Sequence, residues 1–380
     1  MPHARQELSL PEAIARAAHA YAQGRFDEVE AISTAILKAV PDHFDALHLL
    51  GVLRGRQGRL AEALNLLDKA TSRNNTSAQV WSNRGHVLYL QGRYPDAIVS
   101  CERALAIAPD TADALNNRGT ALHALGRHAD ALADYDRALA TNPGFAQALN
   151  NRGLALHRLE RLDEALACYD QALTIIPNYA GALNNRAATL HRLCRHDDAL
   201  TACDRALAID PNHREAWSNR GLNLFELGSF DDALASFDRP LALDPGSAQA
   251  LNSRGAVLDR LGRYEEAIAS YEQVLARNPD DPHAFAGAAD CALTICVGSA
   301  PPAVLTNFQV ASRVGPRSSR LFGCWRTALT PRSSAPVPSS RSRRRCRSSA
   351  SRCIAAYGGS AARCASVIFP RSSSRMRARA

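Results

Sequence analysis

Five asparagines recur at one spacing, Asn83, Asn117, Asn151, Asn185 and Asn219, and they are the side chains of this sequence best suited to holding a ligand. A carboxamide both donates and accepts, so it can pair with the N–H and C=O of an extended peptide whatever side chains the peptide carries. A polar residue inside a helix otherwise carries a propensity cost, which favours peptide binding over a row that only solvates a groove or bonds to an adjacent unit. Arg84, Arg118, Arg152, Arg186, Arg220 and Arg254 follow in the same register. Their aliphatic stems can cover apolar surface while the guanidinium reaches water, a better account of them than recruitment of acidic peptides. His123, His157 and His191 form a shorter series that invites a zinc site. Zinc needs ligands about 2.0–2.1 Å from one point, whereas successive packed helices lie roughly 8–10 Å apart, so these histidines are expected to line a groove instead.

No other constellation promises catalysis. The sequence contains no G-x-x-x-x-G-K-[ST], no H-E-x-x-H, no G-x-S-x-G and no C-x-x-C pair. Cys101 and Cys203 occupy a recurrent apolar position and read as small core residues. Nothing assembles a nucleophile, a base and an oxyanion donor, and no cofactor site is expected.

The element that must position the asparagines shows in the prolines. Pro109, Pro143, Pro177, Pro211, Pro245 and Pro279 stand 34 residues apart, and the frame continues back through Asn75 to Pro41. Such a period marks a helical repeat array, whose work is done by a long surface and not by a pocket in a compact core. With the proline as position 32, units begin at 10, 44, 78, 112, 146, 180, 214 and 248. Position 8 is then Gly51, Gly85, Gly119, Gly153, Ala187, Gly221 and Gly255, and position 20 is Ala from Ala63 to Ala267. These small residues suit the place where two helices of one hairpin cross. Leu67, Cys101, Tyr135, Tyr169, Cys203, Phe237 and Tyr271 at position 24 are expected between hairpins, and Trp81 and Trp217 stand at position 4. Turns reading Gly92-Arg93, Gly126-Arg127 and Gly262-Arg263 separate a first helix from a second, which ends at the residue before proline.

This pattern resembles the tetratricopeptide repeat: aromatic or Leu at 4, Gly at 8, Ala at 20, aromatic at 24, Ala at 27 and Pro at 32. The resemblance implies an all-α, right-handed superhelical solenoid of helical hairpins over residues 10–281, with a short extension over 1–9 and a capping helix over 282–296. It also places the first helix of each unit on the concave face, so that the asparagines at position 6 see the ligand. Two units depart from the pattern. The first has Ala13, Ala17 and Val29 at signature positions, as a terminal cap with a water-facing side would. The seventh carries Pro240 where Ala104, Ala138, Ala172 and Ala206 stand, in the last turn of a second helix; drift in a redundant unit explains it better than a selected kink.

The formal charge of +8 averages two unlike segments. Residues 297–380 hold 16 Arg and 17 Ser with no Lys, Asp or Glu, which leaves 29 basic against 37 acidic residues in 1–296. The array is mildly acidic, so nucleic acid is an improbable partner for it. The tail is expected to be disordered. Its composition favours out-of-frame translation of GC-rich coding DNA over a selected basic arm. No apolar run reaches the roughly 18 residues that a membrane-spanning helix requires. Met1–Ala20 lacks an apolar h-region, and ten cysteines without an export signal read as reduced thiols, so a cytoplasmic location is expected.

A second resemblance is narrower. PDHFDALHLLGVLR (Pro41–Arg54), the N-N-R-G of Asn116–Gly119 and Asn150–Gly153, and PHAFAGAADCAL (Pro282–Leu293) look like the N-terminal arrays of bacterial proteins similar to O-linked N-acetylglucosamine transferase. In that family an asparagine ladder grips the acceptor peptide, which implies this role for Asn83, Asn117, Asn151, Asn185 and Asn219. A glycosyltransferase domain follows the repeats there, whereas the 84 residues after 296 are too few for one. Three functions follow as expectations: a non-catalytic scaffold for proteins or peptides in extended conformation, the substrate-recognition part of a peptide O-glycosyltransferase, and a nucleic-acid binder acting through the tail.

Overall fold

Helices and short turns make up the whole of residues 9–297, the part of the chain that the structure, a computed structural model, describes. Seven hairpins follow one another: α1 (Leu10–Ala22) with α2 (Phe26–Ala39), α3 (Phe44–Arg56) with α4 (Leu60–Arg73), α5 (Ala78–Leu90) with α6 (Tyr94–Ile107), α7 (Ala112–Ala124) with α8 (His128–Thr141), α9 (Ala146–Arg158) with α10 (Leu162–Ile175), α11 (Ala180–Arg192) with α12 (His196–Ile209), and α13 (Arg214–Glu226) with α14 (Phe230–Leu243). α15 (Ala248–Arg260) completes a first unit that ends at Arg263; α16 (Tyr264–Leu275) and α17 (Pro282–Val297) pack together in a second. The all-α hairpin array that the 34-residue period predicts is therefore present. The expectations for residues 1–8 and 298–380, the tail and its disorder among them, lie outside the described residues.

Each hairpin is closed by a left-handed residue at position 15. In the third, the Gly92 amide donates to the Tyr89 carbonyl at 2.9 Å and the Arg93 amide reaches back to Leu88 at 2.9 Å, satisfying carbonyls that the helix end would leave open. Glycine adopts the required φ of 72–78° at six such turns. Glu160 and Cys194 hold it in the fifth and sixth hairpins at φ 60° and 57°. Between hairpins the residue before proline turns extended, as at Ala108 (φ −138°, ψ 96°) and Asp210 (φ −129°, ψ 94°), because the proline ring disfavours a helical predecessor.

Position 8 needs glycine for space. A Cβ on Gly119 would stand 2.7 Å from the Tyr135 ring, and one on Gly153 would stand 2.6 Å from Tyr169. Position 24 thus closes its own hairpin, and it also reaches the next: Tyr135 shares a core cluster with Ala155, Leu156, Ala165 and Tyr169. The alanines at position 20 in the second to seventh hairpins are fully buried. Pro240 is buried inside α14, which keeps the 14-residue length of its counterparts. No helix among the described residues is long and apolar enough to cross a membrane.

Candidate functional site

In the first unit the first helices of successive hairpins touch one another, α5 with α7, α7 with α9, α9 with α11 and α11 with α13, and so share one inner face. The five asparagines stand on it in register, all half-buried. Each spends its amide on the hairpin before it. Asn117 Nδ2 donates to Ser82 Oγ at 3.1 Å and to the Ser82 carbonyl at 3.3 Å. Asn151 Nδ2 reaches Asn116 Oδ1 at 3.0 Å and Thr120 Oγ1 at 3.3 Å. Asn185 donates to Asn150 Oδ1 at 3.0 Å and Asn219 to Asn184 Oδ1 at 2.8 Å. Asn83 Nδ2 lies 2.8 Å from His48 Nε2. Apart from Thr120, the partners sit at position 5, where Asn116 and Asn150 are buried and hold a polar bond in otherwise apolar packing. Bonding to the adjacent unit is thus a use that these side chains have. Among the described residues nothing donates to Oδ1 of Asn185 or Asn219, and each keeps a second amide hydrogen without an acceptor there.

The arginines at position 7 carry a second ladder. Arg84 pairs with Asp68 at 2.6 Å, Arg152 with Asp136 at 2.7 Å, Arg186 with Asp170 and Arg220 with Asp204 at 2.8 Å, and Arg254 with Asp238 at 2.7 Å. Each tie joins a first helix to the second helix of the preceding hairpin. Arg118 turns instead to Asp134 of its own hairpin, with two bonds of 2.7 and 2.5 Å. The solvated heads expected from sequence are therefore ion-paired. The signal was an acid 16 residues before the arginine, at position 25 of the preceding unit.

Family models described as tetratricopeptide repeat match residues 20–85, 76–143, 116–180, 180–213, 218–282 and 254–294. The chain belongs to the tetratricopeptide repeat family. Among solved structures it is similar to a chain of the APC/C hetero-tetramer Cut9-Hcn1, with 18% identity and a TM-score of 0.63 over 74% of this chain and 56% of that one. It is similar also to PilW, a type IV pilus biogenesis factor, with 23% identity and a TM-score of 0.52 over 55% of this chain and 96% of that one. These likenesses concern the fold. The repeat array thus spans little more than half of the Cut9-Hcn1 chain. No curated protein sequence matches it.

Elsewhere in the tetratricopeptide array, positions 12 and 17 bring rings together across the helix turn: Tyr21 with Phe26, Tyr89 with Tyr94, His123 with His128, His191 with His196 and Phe225 with Phe230, at centroid distances of 4.5–5.8 Å. His123 and His191 of the series seen in the sequence belong to these pairs, with the aromatic recurrence five residues on as the overlooked signal, whereas His157 has Leu162 at that spacing and meets Thr189 Oγ1 at 2.8 Å. Among the described residues no three His, Cys, Asp or Glu side chains gather to hold a metal. Burial pushes the Cys101 and Cys203 thiols up to about 12 and raises Cys168 as well, so these thiols are not nucleophiles at neutral pH.

Proposed function

We propose that the array is a non-catalytic protein–protein interaction scaffold whose inner face holds peptides in extended conformation, with Asn83, Asn117, Asn151, Asn185 and Asn219 as the contact row. The observation that carries this reading is the state of Asn185 and Asn219. Each is fixed by one bond to the preceding hairpin and still offers an acceptor and a donor in the same register, the pair of groups that a peptide backbone needs. Asn117 and Asn151 each direct Nδ2 to two acceptors of the preceding hairpin, and Asn151 also accepts from Asn150, so their part in binding is smaller and their part in joining hairpins larger. The test is affinity for peptides selected from a random extended library. Asn185→Ala and Asn219→Ala should each weaken binding about 2- to 10-fold, the value of one net hydrogen bond of roughly 0.5–1.5 kcal/mol. Unchanged affinity in both variants would sink the reading.

A second reading, selection of acceptor peptides for a glycosyltransferase, is supported only by the likeness of Pro41–Arg54 and Pro282–Leu293 to such arrays. Transfer assays with a nucleotide sugar, and translation of the coding DNA beyond codon 296 in the other two frames, decide it. A role in binding nucleic acid rests on the basic segment after residue 297; deleting that segment should abolish any salt-dependent binding observed.

A further inference from the structure

We propose that the His123–His128 pair is an acid-sensitive joint that loosens the fourth hairpin against the fifth. The inference comes from which ring nitrogens carry hydrogen. At the sixth hairpin, His191 Nδ1 and His196 Nδ1 approach Asn223 Oδ1 at 3.1 and 3.0 Å. Asn223 Nδ2 donates to the Asn219 carbonyl at 2.7 Å, so its oxygen faces the rings and both rings donate. At the fifth, His157 Nδ1 meets Thr189 Oγ1 at 2.8 Å, and that hydroxyl gives its own hydrogen to the Asn185 carbonyl, so His157 donates too. A further proton on the distant Nε2 of any of these rings leaves its bond intact.

The fourth hairpin differs. His123 Nδ1 and His128 Nδ1 face each other at 3.0 Å, so one must donate and the other must accept through a bare lone pair. One extra proton can settle on the far nitrogen of the donor ring. A second puts hydrogens on both facing nitrogens, breaks the contact and sets two cations with ring centroids 4.5 Å apart. The groups that act on His123 are His128 from α8 and Arg158 from α9, a third positive charge and one that belongs to the next hairpin. Asp130, the carboxylate of that turn, is taken up by Arg127. The preceding hairpin offers the phenol rings of Tyr89 and Tyr94 at the same register. Burial, His128 and Arg158 together hold His123 down to about 4. The sign follows: between the ordinary histidine value near 6.5 and about 4, an opened joint binds a proton that the closed joint refuses, so acid favours opening. The limit is about 300-fold, set by the difference between those two values.

The array supplies its own reference. In the seventh hairpin the same two positions carry Phe225 and Phe230, with Arg260 of the next first helix stacked at 5.4 and 5.0 Å from their centroids. His123→Phe with His128→Phe rebuilds that arrangement under Arg158; His128→Leu alone copies the His157–Leu162 pairing of the fifth hairpin and serves if the double variant fails to fold. Amide hydrogen exchange of the full chain, corrected for intrinsic rates, is compared at pH 7 and pH 4.5. In the native chain opening of α7, α8 and the start of α9 should rise tens-fold or more on acidification, beyond any rise in α11–α13, and the variant should flatten that excess. An equal acid response in α11–α13, or an undiminished response of α7–α9 in the variant, overturns the proposal.

Discussion

Arg118 differs from its counterparts because of two residues. At position 25 of the preceding hairpin it meets Glu102 where its counterparts meet Asp, and at position 23 of its own hairpin it finds Asp134 where theirs have Ser, Cys or Ala. Asp134 is buried, at 4% side-chain exposure, against about half for the acids of the other ties. Removing one partner of a buried pair leaves an uncompensated charge. Arg118→Ala should therefore cost roughly 3–5 kcal/mol in urea unfolding, while Arg186→Ala should cost about 0.2–1 kcal/mol beyond the loss of its stem packing. Equal losses would show that the burial of Asp134 is irrelevant. The left-handed turns give a second contrast at this scale. Cys194 adopts φ 57° where six other turns have glycine. Cys194→Gly should raise stability by about 1 kcal/mol by relieving the Cβ penalty of that conformation. Glu160→Gly should gain less, because Glu160 accepts from Arg192 at 2.7 Å. Single side chains were the least legible part of the sequence. The asparagine row was visible, but its partners at position 5 were hidden, since a polar residue beside another polar residue carries no sign of which one is buried.

At the scale of the element, the sequence was nearly sufficient. Period, helix ends and turn chemistry all pointed to the same hairpin, because glycine at a left-handed turn, alanine at a crossing and proline after an extended residue each have one physical reason. The use of position 24 was read too narrowly: its rings cover the glycine of their own hairpin before they reach the next. Pro240 belongs to this scale as well. It removes the amide that would have bonded to the Ser236 carbonyl in a continuous α14, yet the helix runs on and the Asp244 amide still reaches the Pro240 carbonyl at 2.8 Å. The unmade bond is a cost with no compensating break in geometry. Pro240→Ala should stabilise the array, by less than the roughly 3 kcal/mol of a mid-helix proline, with slower hydrogen exchange concentrated in α13 and α14. A loss of stability, or an effect spread evenly over distant hairpins, would mean that the proline sets a geometry the array needs.

Over the whole first unit, what turns hairpins into one cooperative body is the repetition of ties between neighbours. Apolar contacts join each hairpin to the next, but the arginine at position 7 and the acid at position 25 add an ion pair at five boundaries between Asp68–Arg84 and Asp238–Arg254, the boundary before Arg118 excepted. Both halves of the ladder were present in the sequence, and their pairing was not, because two residues 16 apart become neighbours only once the crossing of consecutive hairpins is known. In a chain whose stability is a sum of hairpin terms and boundary terms, weakening one boundary should separate the blocks on either side before it unfolds either of them. Asp170→Asn and Asp204→Asn remove the ties on both sides of the sixth hairpin. Each acid is more than half exposed, so each change should cost only about 0.2–1 kcal/mol at low salt. Together they should broaden the urea transition as the hairpins before and after α11–α12 begin to melt apart. At about 1 M salt, where the screening length falls to about 3 Å, native and doubly substituted chains should unfold alike. A sharp transition in the double variant at low salt, or a difference that persists at high salt, would show that apolar packing alone makes the array cooperative.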